Sequence, residues 1–173
     1  MGLIRSDEVD FAVGSMIDVP DDISYRPIYS FKPVLIAHRD HPLARRRDIT
    51  LADISPYGLI LPPRRLTTYT LIDRVFQKHK LPFRVTLEVG GWEVIKKFVA
   101  QGMGISIVTS ICLGDSDRDH LVTRDVSRWF PQRTYGVVMR KGAYLTPQAR
   151  RFIELMSPDL FPEPEFAGPA AAA

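Results

Sequence analysis

Cysteine is nearly absent: Cys112 is the only one in 173 residues. An internal disulfide is therefore excluded, and a reducing compartment suits the chain. Spacing offers no histidine to activate Cys112, which reads as a small buried residue rather than a reactive thiol. No apolar run approaches the roughly 18 residues a membrane span needs. The opening MGLIRSDEVD carries charges where a signal peptide has its apolar core,. The expected location is the cytoplasm, with no membrane partner. Enzyme motifs are also missing. The chain has no Gly-x-Ser-x-Gly elbow, no Gly-x-x-x-x-Gly-Lys-Ser/Thr loop and no paired-cysteine motif,. His38 and His41 flank Arg39-Asp40 ahead of Pro42, unlike the i, i+4 histidine pair of zinc hydrolases,. Spacing gives Glu88 no acid partner for general acid–base work. No catalytic residue, metal site or cofactor is expected.

What remains is ordinary globular composition. With 45% hydrophobic residues, the chain can bury a core as one domain or two small lobes. The net charge of +3 and pI near 9.1 are mildly basic, with the positive charge spread out except at Arg45-Arg46-Arg47. That triplet lies between His41-Pro42-Leu43 and a helix start at Thr50, and reads as a solvated linker. Aromatic and basic residues do not interleave as they do in proteins that stack single-stranded bases.

The most organised stretch is EVGGWEVIKKFVAQGMGISIVTS, from Glu88 to Ser110. Val85, Leu87 and Val89 alternate as in a strand, and Gly90-Gly91 permits a tight turn. Trp92 opens a helix in which Val94, Ile95, Phe98 and Val99 form one apolar stripe, with Lys96, Lys97 and Gln101 largely outside it. Gly102 stands where a left-handed C-terminal cap belongs. Ile105 to Val108 follows as a strand, so a right-handed parallel crossover is predicted. Loops at the carboxyl ends of such strands face the crevice of an open α/β sheet, which places Gly90, Gly91 and Trp92 there.

Elsewhere, a short buried strand is predicted at Val9 to Val13, before Gly14-Ser15, and a second strand within Ile28 to His38. Thr50 to Asp53 resembles a capping box for a turn over Leu51 to Ile54. Tyr57 to Leu61 reads as a buried strand ended by Pro62-Pro63. Leu71, Ile72, Val75 and Phe76 give a helix from Thr68 to about Lys80, with Thr67 or Thr68 as N-cap. Further strands are predicted around Leu121 to Thr123 and Tyr135 to Met139. Thr146-Pro147 opens a last helix. The tail from residue 161 to 173, rich in proline and alanine, is expected to be disordered.

The order of these motifs resembles the effector-binding domain of LysR-type transcriptional regulators. The resemblance rests on DFAVG at Asp10 to Gly14, HPLA at His41 to Ala44 and ITLADI at Ile49 to Ile54. It also rests on Glu88-Val89 with VAQGMGISIV at Val99 to Val108, and on GVVMRKGAYLTPQARRFIELM at Gly136 to Met156. It implies an α/β, two-lobed periplasmic-binding-protein-like (type II) domain that holds a small-molecule effector between its lobes. One lobe is then expected at 1–55 plus 134–160 and the other at 56–133. The resemblance further implies a homodimer, and contact with DNA only through a helix-turn-helix domain that is not in this sequence. The family's first strand and helix of the effector domain are also missing from it, so an N-terminally incomplete first lobe with an unpaired sheet edge is expected.

The segment PPRRLTTYT, Pro62 to Thr70, follows a strand and opens a helix, where free N–H groups and the helix dipole favour an anion. Thr67, Thr68 and Thr70 add hydroxyls, and Arg64 or Arg65 could add a charge-assisted hydrogen bond. Together with Gly90, Gly91 and Trp92 they form the candidate site for a small anionic or polar ligand. The plainer alternative is that the threonines cap the helix and the arginines face solvent. Trp92 is either a wall of that site or a lid on the helix stripe. Gly14 and Ser15 are carried over from the first lobe, with a simple turn as their alternative. Two rival functions share this scaffold: a free-standing solute-binding protein, which needs an export signal, and an enzyme, which needs a catalytic set.

Overall fold

The computed structural model describes residues 1–16 and 18–160; the expectation of a disordered tail at 161–173 lies outside them. Two compact units result, Met1–Ser30 with the chain from Thr134 onward, and Phe31–Arg133.

The second unit is built on strands whose composition tells edge from centre. Strands β3 (Pro33–His38), β4 (Gly58–Leu61) and β6 (Ser106–Thr109) are buried almost throughout, and their near-continuous apolar runs suit positions covered on both faces. Strands β5 (Arg84–Glu88) and β7 (Leu121–Asp125) alternate between more and less exposed residues, as edge strands do. β4 pairs in parallel with β5. On its other side, Leu59 bridges in parallel to Ile105, where Ile60 N–H donates to Ile105 carbonyl at 2.8 Å. β3 pairs antiparallel with both β6 and β7. The order is thus β5-β4-β6-β3-β7. The predicted crossover from β5 to β6 exists, with β4 lying between the two strands.

The period-2 alternation of the strands divides the core between two faces. On one face Leu35, Ala37, Leu59, Leu61 and Ile107 pack with Ile72 and Phe76 of helix α3 (Thr67–Lys78). On the other, Val34, Ile36, Ile60 and Val108 pack with Ile95 and Val99 of α4 (Trp92–Ala100). The helices leaving β4 and β5 therefore lie on opposite faces of the sheet, and neighbouring strands send their connections in opposite directions. Phe76, fully buried, has ring centroids of Phe83 and Phe130 at 5.0 and 6.3 Å.

Residues 31–55 belong to this unit, which corrects the expected boundary at residue 55. The physical reason is twofold: β3 is hydrogen-bonded between β6 and β7, and Leu43, Ile49, Leu51 and Ile54 enter the core on the α3 face. The short helix α2 (Leu51–Ile54) has the expected capping box. Thr50 Oγ1 accepts from Asp53 N–H at 3.2 Å, and the Asp53 carboxylate accepts from Thr50 N–H at 2.9 Å. The stripe assignment of α4 also needs correction. Lys96 is only 7% exposed, its stem buried and its ammonium 2.8 Å from Asp117 Oδ2 in the 115–119 turn,.

In the first unit β1 (Ala12–Gly14) pairs antiparallel with β8 (Arg133–Arg140), and β8 also neighbours β2 (Ile23–Phe31). Val138 packs on Ile4 of α1 (Gly2–Arg5) and on Ile23; Val137 and Met139 pack on Ile153 of α5 (Pro147–Met156). β1 is shorter than expected and largely exposed. The predicted second strand is in fact two, broken at Lys32. Pro27, which has no N–H, masks the first half of β2 in the sequence, and a sheet edge tolerates it,. α5 starts as expected, with Thr146 Oγ1 accepting from Ala149 N–H and proline at the first position.

Candidate functional site

In an open α/β sheet the crevice forms at the carboxyl ends of adjacent parallel strands whose connections diverge. In the second unit that place is the end of β4 and β5. Their turns are joined there: Val89 N–H donates to Leu61 carbonyl at 3.0 Å, and Arg64 N–H reaches Glu88 Oε1 at 3.4 Å. Both helices that start here lack a side-chain cap. The N-cap of α3 is Leu66, which corrects the expectation of Thr67 or Thr68; these two occupy the first helical turn. Leu66 has no side-chain oxygen to offer the first amides of the helix, so the helix dipole faces the turn without an internal acceptor. The N-cap of α4 is Gly91, at φ +85°, a conformation glycine adopts without Cβ strain. Gly90 has no such conformation, so only Gly91 requires its glycine on backbone grounds.

The threonines do not cap. Thr67 Oγ1 and Thr68 Oγ1 accept hydrogen bonds from Arg133 Nη2 at 2.7 Å and Nη1 at 3.1 Å. The sequence does not point to Arg133, since nothing in it links residues 65 and 66 positions apart. Arg64 is exposed, its guanidinium carbon 5.5 Å from the centre of the Tyr69 ring and its Nε 3.9 Å from Glu88. Arg65 is exposed and Thr70 is half-buried. Trp92 is half-buried against the α4-face core. Gly14 and Ser15 lie in the other unit, Gly14 closing β1 opposite Gly136.

The remaining titratable candidates have structural environments. His41 Nδ1 accepts from Leu43 N–H, and its ring lies 4.4 Å from that of Tyr57; burial holds its pKa below the usual histidine range. Among the described residues no group of three His, Cys, Asp or Glu side chains could hold a metal ion. Cys112 is half-buried, 3.3 Å from Thr109 Oγ1, and burial pushes its thiol pKa up.

The fold is that of an α/β domain of the type II periplasmic-binding-protein kind. The sequence profile of the LysR substrate binding domain matches residues 1–160, and the chain belongs to that family. It is 32% identical over 167 residues to the HTH-type transcriptional regulator SsuR of Burkholderia cenocepacia, covering 96% of this chain and 54% of SsuR. It is 26% identical over 160 residues to the regulator Cbl of Escherichia coli, covering 91% of this chain and 50% of Cbl. The chain thus spans about half the length of these relatives. The regulatory domain of Synechocystis CcmR, solved in complex with 2-PG, superposes with TM-score 0.82 at 26% identity, covering 92% of this chain and 77% of that one. The cofactor-binding domain of a Cbl regulator superposes with TM-score 0.81 at 25% identity, covering 92% and 71%. No helix among the described residues is long and apolar enough to cross a membrane.

Proposed function

We propose that this chain is the effector-sensing part of a LysR-type regulator. It binds a small anionic or polar ligand at the turns that open α3 and α4, and so controls promoter binding by an attached or partner DNA-binding domain. The observation that carries this reading is the pair of uncapped helix N-termini at adjacent, diverging parallel strands, with Thr67 and Thr68 in the first turn of one. Amide donors and the positive ends of two dipoles there suit an acceptor ligand. The protein acts as a binding module rather than an enzyme, in the cytoplasm, and works as a homodimer. Differential affinity of the ligand for two arrangements of the protein is what a regulatory response needs.

Calorimetric titration of the chain with a panel of organic acids and sulfate tests the reading. We expect saturable binding that Thr67→Ala and Thr68→Ala each weaken. Binding that both variants leave unchanged would remove the α3 turn from the site.

A further inference from the structure

Arg133 begins β8, and its guanidinium holds both threonine hydroxyls of the α3 turn. Its Nε is buried and has no hydrogen-bond partner. Among the described residues its hydrogen-bond partners are those two hydroxyls and no carboxylate, so its charge is not neutralised by an ion pair. A threonine hydroxyl has one proton and two acceptor lone pairs. Accepting from Arg133 consumes one lone pair of each oxygen and fixes its position, which leaves each proton to be donated elsewhere. The turn then presents two oriented hydroxyl donors backed by a full positive charge about 3 Å behind them. A neutral ligand gains little from that charge, whereas an anion gains from the charge and from both donors.

We infer that Arg133 is a specificity-determining residue of the effector site. Through Thr67 and Thr68, and through its own charge, it selects negatively charged ligands over neutral ones of the same shape. The inference rests on the effector-binding reading above. It goes beyond that reading by assigning the ligand's charge class to one side chain.

The test is calorimetry on the whole chain at fixed ionic strength with two tetrahedral probes, dianionic sulfate and neutral dimethyl sulfone. The wild type is expected to bind sulfate at least roughly tenfold more tightly than the sulfone. Arg133→Gln should lower sulfate affinity by roughly ten- to a hundredfold, the range for a hydrogen bond to a charged group, and leave the sulfone unchanged. Arg133→Lys keeps the charge but cannot fork to both oxygens, so it should recover part of the preference. Sulfate affinity within roughly threefold of wild type in Arg133→Gln overturns the inference, as does an equal loss of both probes. If Arg133→Gln does not fold, Arg133→Lys decides by the same ratio of sulfate to sulfone. A wild type that binds a neutral polar ligand but no anion overturns this inference and leaves the binding reading standing. A wild type that binds neither kind of ligand removes both.

Discussion

Replacing Lys96 by methionine tests how the second unit is held together. The ammonium lies 2.8 Å from Asp117 Oδ2 and 2.8 Å from Glu93 Oε1. Glu93 is 77% exposed, so water screens that contact and it contributes little,. The side chains of Lys96 and Asp117 are only 9% and 16% exposed. Removing the cation therefore strands a largely buried carboxylate, and breaking a fully buried pair in this way destabilises proteins by about 3–5 kcal/mol. Asp117 keeps one donor, Gly114 N–H at 2.8 Å, so the low end, about 3 kcal/mol, is expected. Since each kcal/mol shifts the melting temperature of a chain this size by about 2–4 °C, the drop is roughly 6–12 °C. The double variant Lys96→Met/Asp117→Asn leaves no stranded charge and should recover most of the loss. Burial acts to raise the Asp117 pKa and is outweighed by hydrogen bonds from Lys96 and Gly114, so the carboxyl is held below its usual range. A lowered folded-state pKa means stability that is present above the unfolded-state pKa and lost as pH falls through the folded value. Asp117→Asn should thus flatten the acid limb of the stability curve. Urea unfolding followed by circular dichroism across pH reads all three effects. Lys96→Met as stable as wild type, or a double variant as damaged as the single one, refutes the reasoning.

Three further outcomes are expected. Gly91→Ala places a Cβ at φ +85° and should destabilise by about 1 kcal/mol or more; denaturant midpoints showing no loss would mean the turn relaxes freely. Phe76→Ala empties a site between Phe83 and Phe130 and should lose about 3–5 kcal/mol, read by the same unfolding assay. Cys112, its thiol pKa raised by burial, should react with iodoacetamide at pH 7 much more slowly than a free thiol, and alkylation at the free-thiol rate would contradict its burial.

Much of the second unit was legible because local chemistry and long-range packing agree there. The glycine at φ +72°, Gly102, the capping box at Thr50 and the stripe of Ile95 and Val99 are all short-range features. The start of β2 is not legible because Pro27 and its polar neighbours mask the first half of an edge strand. The boundary at residue 55 was misplaced because only the pairing of β3 with β6 and β7 reveals which sheet claims the segment. Lys96 falls outside the predicted stripe yet is buried, because a lysine's stem can be buried while its ammonium finds a carboxylate 21 residues away, a pairing that helical periodicity does not encode. The threonines and Gly91 of the candidate site were visible as helix-start chemistry. Arg133 was not, because its hydrogen bonds span 65 and 66 residues.

The most direct test of the central claim is residue-resolved NMR of the chain's amides during titration with a binding anion from the organic-acid and sulfate panel. The account predicts saturable shifts concentrated at residues 67–70 and 90–94, sharing one affinity, and weakened together in Thr68→Ala. Saturable shifts confined to other parts of the chain, with both turns silent, would contradict it.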